Sequence, residues 1–264
     1  MSRGATWADS PPRYSAPVGA IDETTQAADD RTLVVVPTFN EAPNIAEMVE
    51  RILRIDAALD VLVVDDNSPD GTALIVERLA EQHPQVRLLC RTAKSGRGNA
   101  VMAGFRVGLE NDRYGHFAEM DADLSHEPES LPDLMTAAAH ADVVVGSRYV
   151  KGGRIQGWGP HRRAWSWLSN RIIAVVLRTP IADNTNGFRL YSRAAVETLA
   201  SATLREKGFI ALSEWTFVLA RAGYRFADVP VLFIDRTRGT SNMSAAEALG
   251  ALRALVRLRM RPRG

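Results

Sequence analysis

The chain has 264 residues, of which 46% are hydrophobic and 24% charged, with a net charge of +1. That balance fits one large α/β domain with a sizeable core. It excludes the global positive charge that nucleic-acid binding rests on, and a single cysteine, Cys90, excludes an internal disulfide or a multi-cysteine zinc site.

Residues 1–29 read as a polar, disordered leader without the apolar segment of a secretory signal. No stretch approaches the ~20 apolar residues that span a bilayer. Beyond the leader, short β-branched runs alternate with helical periodicity. A strand is predicted over 33–36, ending in Pro37-Thr38-Phe39-Asn40-Glu41, then a helix over 42–55 with Ile45, Met48, Val49 and Ile52 on one face. A strand over 61–64 ends in Asp65-Asp66-Asn67-Ser68-Pro69-Asp70-Gly71. A helix over 72–81, a strand over 86–90 and a helix over 98–109 follow. Residues 116–120 lead into Asp121-Ala122-Asp123, before a helix over 131–140 and a strand over 143–145 that ends in Gly146-Ser147-Arg148. This alternation predicts an α/β fold with a Rossmann-like, mostly parallel sheet flanked by helices. Ligand sites in such sheets lie at the carboxyl ends of the strands, so the polar strings should converge on one edge. The remainder is less regular, with helices predicted over 165–177 and near 213–222, strands over 188–191 and 229–234, and a basic amphipathic helix over 244–264.

Asp121 and Asp123 are two residues apart, so on extended backbone their carboxylates point the same way. A hard cation shared with substrate phosphates makes such a pair tolerable; a loop of helix-capping aspartates is the alternative. Asp65 and Asp66 follow a buried strand, where a carboxylate can accept hydrogen bonds from a ribose or a base. Ser68, Pro69 and Asp70 carry turn and cap signals, so both roles are expected there on different residues. A dinucleotide fingerprint and a phosphate-binding Gly-Lys-Ser/Thr are absent. Lys94, Gly96 and Gly98 precede a helix whose N-terminus suits donor phosphates, or form a flexible loop. His126 follows the acids and either touches the site or is structural.

Taken together, the strings 36–41, 63–72, 120–126, 146–149, 186–191 and 235–241 resemble family 2 glycosyltransferases, in particular the dolichol- or polyprenol-phosphate mannose synthases. The resemblance runs over about 32–244. It implies a GT-A fold over 30–243, which moves a hexose from a nucleotide sugar, GDP-mannose foremost, to a polyprenyl or dolichyl monophosphate with inversion. It implies that Pro37, Glu41 and Asp66 hold the nucleoside end and that Asp121, Ala122 and Asp123 contact the donor. Asp121, Asp123 and Ser125 would surround Mg2+ or Mn2+, and Arg148 and Arg236 would face the phosphates, making Asp123, Arg148 and Arg236 the catalytic set. Arg163, or its neighbour Arg162, resembles a further basic donor-binding position. Two departures stand out: Ser125 replaces a usual Gln, and Asn242 replaces a common Lys, a charge that Arg238 can restore.

A phosphate acceptor is already anionic near neutral pH and needs little help from a base. Asp183 and Glu214 are the candidate bases for a hydroxyl acceptor. Trp158, Trp165 and Trp167 lie near Arg162 and Arg163, a membrane-interface composition if they are not core residues. Arg253, Arg257 and Arg261 form a terminal stripe that suits anionic lipid or plain solvent. The expected partners are the nucleotide-sugar donor and the polyprenyl phosphate, with peripheral contact at the cytoplasmic membrane face and a possible separate membrane-anchoring protein. The alternatives are a UDP-sugar transferase making polyprenyl-phosphate glucose or extending a glycan, and an inactive binding subunit.

Overall fold

The computed structural model describes residues 13–14, 31–93, 96–206, 209–235 and 253–260. In chain order the first half runs β1 (Arg13–Tyr14), β2 (Arg31–Thr38), α1 (Ile45–Leu53), β3 (Leu59–Asp65), α2 (Thr72–Gln82), β4 (Val86–Cys90), α3 (Arg97–Leu109) and β5 (Tyr114–Glu119). After a 3-10 turn at Pro128–Ser130 come α4 (Leu131–Ala138), β6 (Val143–Ser147), β7 (Arg154–Gln156), α5 (Pro160–Leu177), β8 (Arg189–Ser192) and α6 (Arg193–Ser201). The last elements are α7 (Phe209–Arg221), β9 (Phe226–Pro230), β10 (Leu232–Ile234) and α8 (253–259).

The main sheet has the order β1-β4-β3-β2-β5-β8-β6-β9. Parallel pairing joins β4, β3, β2 and β5, and separately β6 and β9. β8 runs antiparallel between β5 and β6, and β1 pairs antiparallel with the far edge of β4. The leader expected over 1–29 otherwise lies outside the described residues. β2 and β3 are almost wholly buried, and alternation sends their side chains to opposite faces. Val34, Val36, Val61 and Val63 join a core under α1, α2 and α4, while Leu33, Val35, Leu62 and Val64 join one under α3, α6 and α7.

Two glycines let α3 lie close on that second face. A Cβ on Gly104 would sit 2.6 Å from Val35, and one on Gly108 2.5 Å from both Leu33 and Phe117. Pro37 is tolerated inside β2 because of where the ladder stops. Thr38 faces β3, its carbonyl accepting from Asp66 N–H, so Pro37 faces the β5 side, where pairing ends at Val35–Glu119.

The strand predicted over 229–234 is two strands. Pro230 lacks an amide hydrogen and ends β9 against β6, and the chain resumes as β10 beside the short β7, which the sequence pattern did not announce. α6 was likewise unassigned, although Ser192 caps it by accepting Ala195 N–H and Ala195, Val196 and Leu199 are its buried face. Of the helix predicted over 244–264, 253–259 is helical and 244–252 lies outside the described residues. Ala254, Leu255 and Leu258 of this helix are buried, while Val256 and Met260 are exposed.

Leu255 and Leu258 pack with Ile173 and Leu177, which form the inner face of α5. Its outer face is unusual. Trp165, Leu168, Ile172 and Val175 follow helical spacing and all face solvent, Trp165 at 55% and Val175 at 69% exposure. Among the described residues no helix is long and apolar enough to cross a membrane.

Candidate active site

β2, β3, β5 and β6 all point the same way, so their carboxyl ends carry the polar strings to one edge, as expected. At β2 and β3 the two loops are stitched together. Asp65 accepts from the Thr38 hydroxyl at 2.8 Å and from the Ser68 N–H and hydroxyl at 2.8 and 2.6 Å. Asp70 accepts from Thr72 N–H and hydroxyl and from Ala42 N–H. The turn and cap roles therefore fall on Asp65 and Asp70. Asp66 is instead paired with Arg91 at 2.7 Å, a residue the sequence reading did not single out. Glu41 accepts from Asn44 Nδ2 at 2.9 Å, and Pro37 is half-buried.

The acidic loop follows β5. Asp123 Oδ1 accepts from Ser125 N–H at 3.0 Å, and this turn holds Leu124 at φ 62°. A branched apolar residue in the left-handed region is strained by about 1–3 kcal/mol, which the surrounding bonds must outweigh. Ala122 is buried, and the Ser125 hydroxyl is buried with no hydrogen-bond partner among the described residues. Glu119, Asp121 and Asp123 bring three carboxylates to this strand end, and Arg97 pairs with the first two. Among the described residues no three acidic, His or Cys side chains form a metal cluster. Asp121 and Asp123, with the unpartnered Ser125 hydroxyl, are oxygen donors of the kind that could hold a hard divalent cation, the rest of its shell coming from a diphosphate and water.

His126 orders this loop from below. Asn186 donates through Nδ2 to Gly146 O at 2.5 Å, so its Oδ1 accepts from His126 Nε2 at 2.8 Å. His126 Nδ1 then accepts Asp121 N–H at 3.3 Å. Burial pushes the imidazole pKa down against the pull of Asp121 and Asp123, which keeps this neutral tautomer. The ring stacks on Phe188, 5.5 Å away. His126 is thus a structural support of the site.

Asn186 N–H also donates to Asp183 Oδ1 at 3.2 Å, and Asp183 leads to Arg148. Arg148 was expected to face the phosphates. It is held by Asp183 in a bidentate pair at 2.7 and 2.8 Å, with a further bond to Thr185, and its side chain is 5% exposed. Burial would raise the Asp183 carboxyl, but the charge and hydrogen bonds of Arg148 outweigh it and hold the pKa below the usual range. Asp183 is therefore a poor base. Glu214 is no better placed, since it is fully buried and accepts the backbone N–H groups of Arg205 and Glu206.

Arg148 also lines a pocket of about 570 Å³ with Tyr149, Arg154, Ile155, Arg163 and Trp167. The structure thereby separates Arg162 from Arg163. Arg162 pairs with Asp235 at 2.9 Å and stacks 4.1 Å over Trp158, whereas Arg163 faces the pocket and bonds Ile155 O. Trp158 packs inward on Phe233, while Trp165 and Trp167 are exposed. Arg236, with Lys94, Arg238 and Asn242, lies outside the described residues.

A doubly wound sheet with a diacid, an acidic loop and an arginine pocket along one edge defines a nucleotide-sugar transferase. Residues 33–200 match the family described as Glycosyl transferase family 2, and the chain belongs to it. It is 40% identical over 214 residues to an undecaprenyl-phosphate mannosyltransferase of Micrococcus luteus, covering 81% of this chain and 88% of that protein. It is 37% identical over 233 residues to a polyprenol monophosphomannose synthase of Mycolicibacterium smegmatis, covering 88% of each. In fold it resembles a mannosyltransferase from Pyrobaculum calidifontis solved in complex with GDP-Man and Mn2+, with a TM-score of 0.58 and 24% identity. That likeness covers 80% of this chain, which spans only 58% of the solved one. A glucosyl-3-phosphoglycerate synthase from Mycobacterium tuberculosis, solved with Mn2+ and UDP, is similar at a TM-score of 0.63 and 15% identity, over 88% of this chain and 79% of that one.

Proposed function

We propose that the chain transfers a mannosyl group from GDP-mannose to a polyprenyl monophosphate, inverting the anomeric carbon in a single displacement. One observation carries this reading. Asp121, His126, Asn186, Asp183 and Arg148 form an unbroken hydrogen-bonded chain, which couples the acidic loop to the arginine pocket. The donor diphosphate would lie at the first end and an anionic acceptor at the second.

In this reading Pro37, Glu41 and Asp66 hold the nucleoside, and Asp121, Asp123 and Ser125 hold Mg2+ or Mn2+ against the diphosphate. The cation supplies charge neutralisation for the leaving group. Arg154 and Arg163 draw the acceptor phosphate into the pocket, and Arg148 adds positive charge there while Asp183 fixes its position. A phosphate oxygen bonds to the anomeric carbon as the bond to the diphosphate breaks, and the electron pair leaves with GDP. Asp183 and Glu214 are both engaged structurally, which suits an acceptor that needs no base. Trp167, Tyr149 and Ile155 give the pocket an apolar wall for the first prenyl units. The exposed stripe of α5 supports peripheral contact with an anionic bilayer at the cytoplasmic face, to which an anchoring membrane protein would add.

The test offers the purified chain GDP-mannose or UDP-glucose with polyprenyl phosphate in detergent, in Mg2+, Mn2+ or EDTA. The expected result is a lipid-soluble mannosyl phosphate that forms only with a cation. Transfer from UDP-glucose alone would replace the donor, and no transfer from either would sink the reading.

A further inference from the structure

Arg97 opens α3, and the sequence reading passed over it between Gly96 and Gly98. All three of its guanidinium nitrogens are engaged. Nε donates to Asp121 Oδ1 at 2.5 Å, Nη1 to Glu119 Oε2 at 2.6 Å and Nη2 to Gly187 O at 2.9 Å. The seat is built for it. Glu119 is fully buried, and its other oxygen accepts the Tyr191 hydroxyl at 2.7 Å. A Cβ on Gly187 would lie 2.2 Å from Arg97 Nη2, so a larger residue at that position would dislodge the guanidinium. A guanidinium is not deprotonated in a protein, so the positive charge is permanent.

Asp121 therefore holds a cation belonging to the protein itself. A divalent ion arriving alone meets a carboxylate already partly neutralised and must share it with Arg97. A nucleoside diphosphate brings its own negative charges and oxygen ligands, which restores the attraction. We propose that Arg97 is the positioning residue of the Asp121–Asp123 cation site: anchored by Glu119, Tyr191 and Gly187, it fixes Asp121 and makes the cation bind with the nucleotide and not ahead of it. A planar fork is required, because a lysine ammonium cannot span three separate acceptors in this geometry. The inference rests on the cation-dependent reading above and adds an order of binding to it.

The experiment titrates Mn2+ into the full chain with and without GDP, following free Mn2+ by electron paramagnetic resonance. The chain itself is expected to bind Mn2+ weakly alone and at least tenfold tighter with GDP. Arg97→Met should bind Mn2+ alone about tenfold tighter than the parent, so that the help from GDP shrinks. A residue with a merely structural role would not tighten metal binding when removed. Arg97→Lys, which keeps the charge and loses the fork, should leave Mn2+ alone weak yet raise KM for GDP-mannose. If Arg97→Met unfolds because Glu119 is left buried without a cation, Arg97→Met with Glu119→Gln removes that charge and is titrated in its place. Unchanged Mn2+ affinity in the folded variant overturns the proposal. Failure of the parent to bind Mn2+ even with GDP overturns the cation reading and this inference together, whereas a normal parent with an unaffected variant overturns this inference alone.

Discussion

Asp123 lies on a turn that its own carboxylate helps to hold, through Ser125 N–H, while Asp183 is fully buried against Arg148. Replacing each should therefore fail differently. Asp123→Ala is expected to lower transfer by about 10²-fold or more while losing only about 1 kcal/mol of stability with its turn bond, read by a turnover assay beside a thermal melt. Unchanged turnover would remove Asp123 from the site. Asp183→Asn leaves Arg148 buried without its counter-charge and should lose about 3–5 kcal/mol of stability. The Asp183 pKa is lowered in the folded chain, so its contribution is complete above the unfolded value near about 4 and fades as pH falls below it. Denaturant unfolding of parent and variant should show the gap between them closing in acid, and a gap independent of pH would contradict the pair. The carboxylates of this edge were legible in the sequence because they sit in short strings after strands. Their partners were not, since Arg97 meets Asp121 across 24 positions and Arg148 meets Asp183 across 35. The sequence places Arg148 at a strand end but does not announce the buried Asp183 that holds it there.

At the scale of elements, α3 sets propensity against packing. Gly108→Ala should gain about 1 kcal/mol of helix propensity. Its new Cβ would press on Leu33 and Phe117 at 2.5 Å, and such overpacking costs about 1–3 kcal/mol. A net loss is expected in denaturant unfolding, and a more stable variant would show that the face can relax. The central strands and the helices between them were readable because burial on both faces writes continuous Val and Leu runs, as in Val61–Val64. β7 was not, because a three-residue strand paired only with β10 carries no period of its own, and the break at Pro230 that separates β10 from β9 was missed. Which side of the C-terminal helix turns inward is decided by the contact of Leu255 and Leu258 with Ile173 and Leu177, which the sequence pattern does not carry.

Over the whole molecule, α5 is the element whose surface fits solvent least. Its eighteen residues contain no acid and three arginines, beside the exposed Trp165, Leu168, Ile172 and Val175. Trp165→Glu with Ile172→Glu should cut flotation with phosphatidylglycerol vesicles about tenfold and leave the melting temperature alone, since neither side chain is buried. Flotation equal to that of the parent would move the membrane contact elsewhere. The order of the sheet carries a last consequence. β2, β3 and β5 present the residues proposed for the donor, β6 and α5 present the arginine pocket, and antiparallel β8 alone stands between β5 and β6. In the proposed reading the two substrates are thus held by separate stretches of chain that share one seam. In evolutionary terms, the acceptor half can drift toward new lipids or sugars while the nucleotide half is inherited intact, provided the Asn186 and Arg189 contacts at that seam are kept.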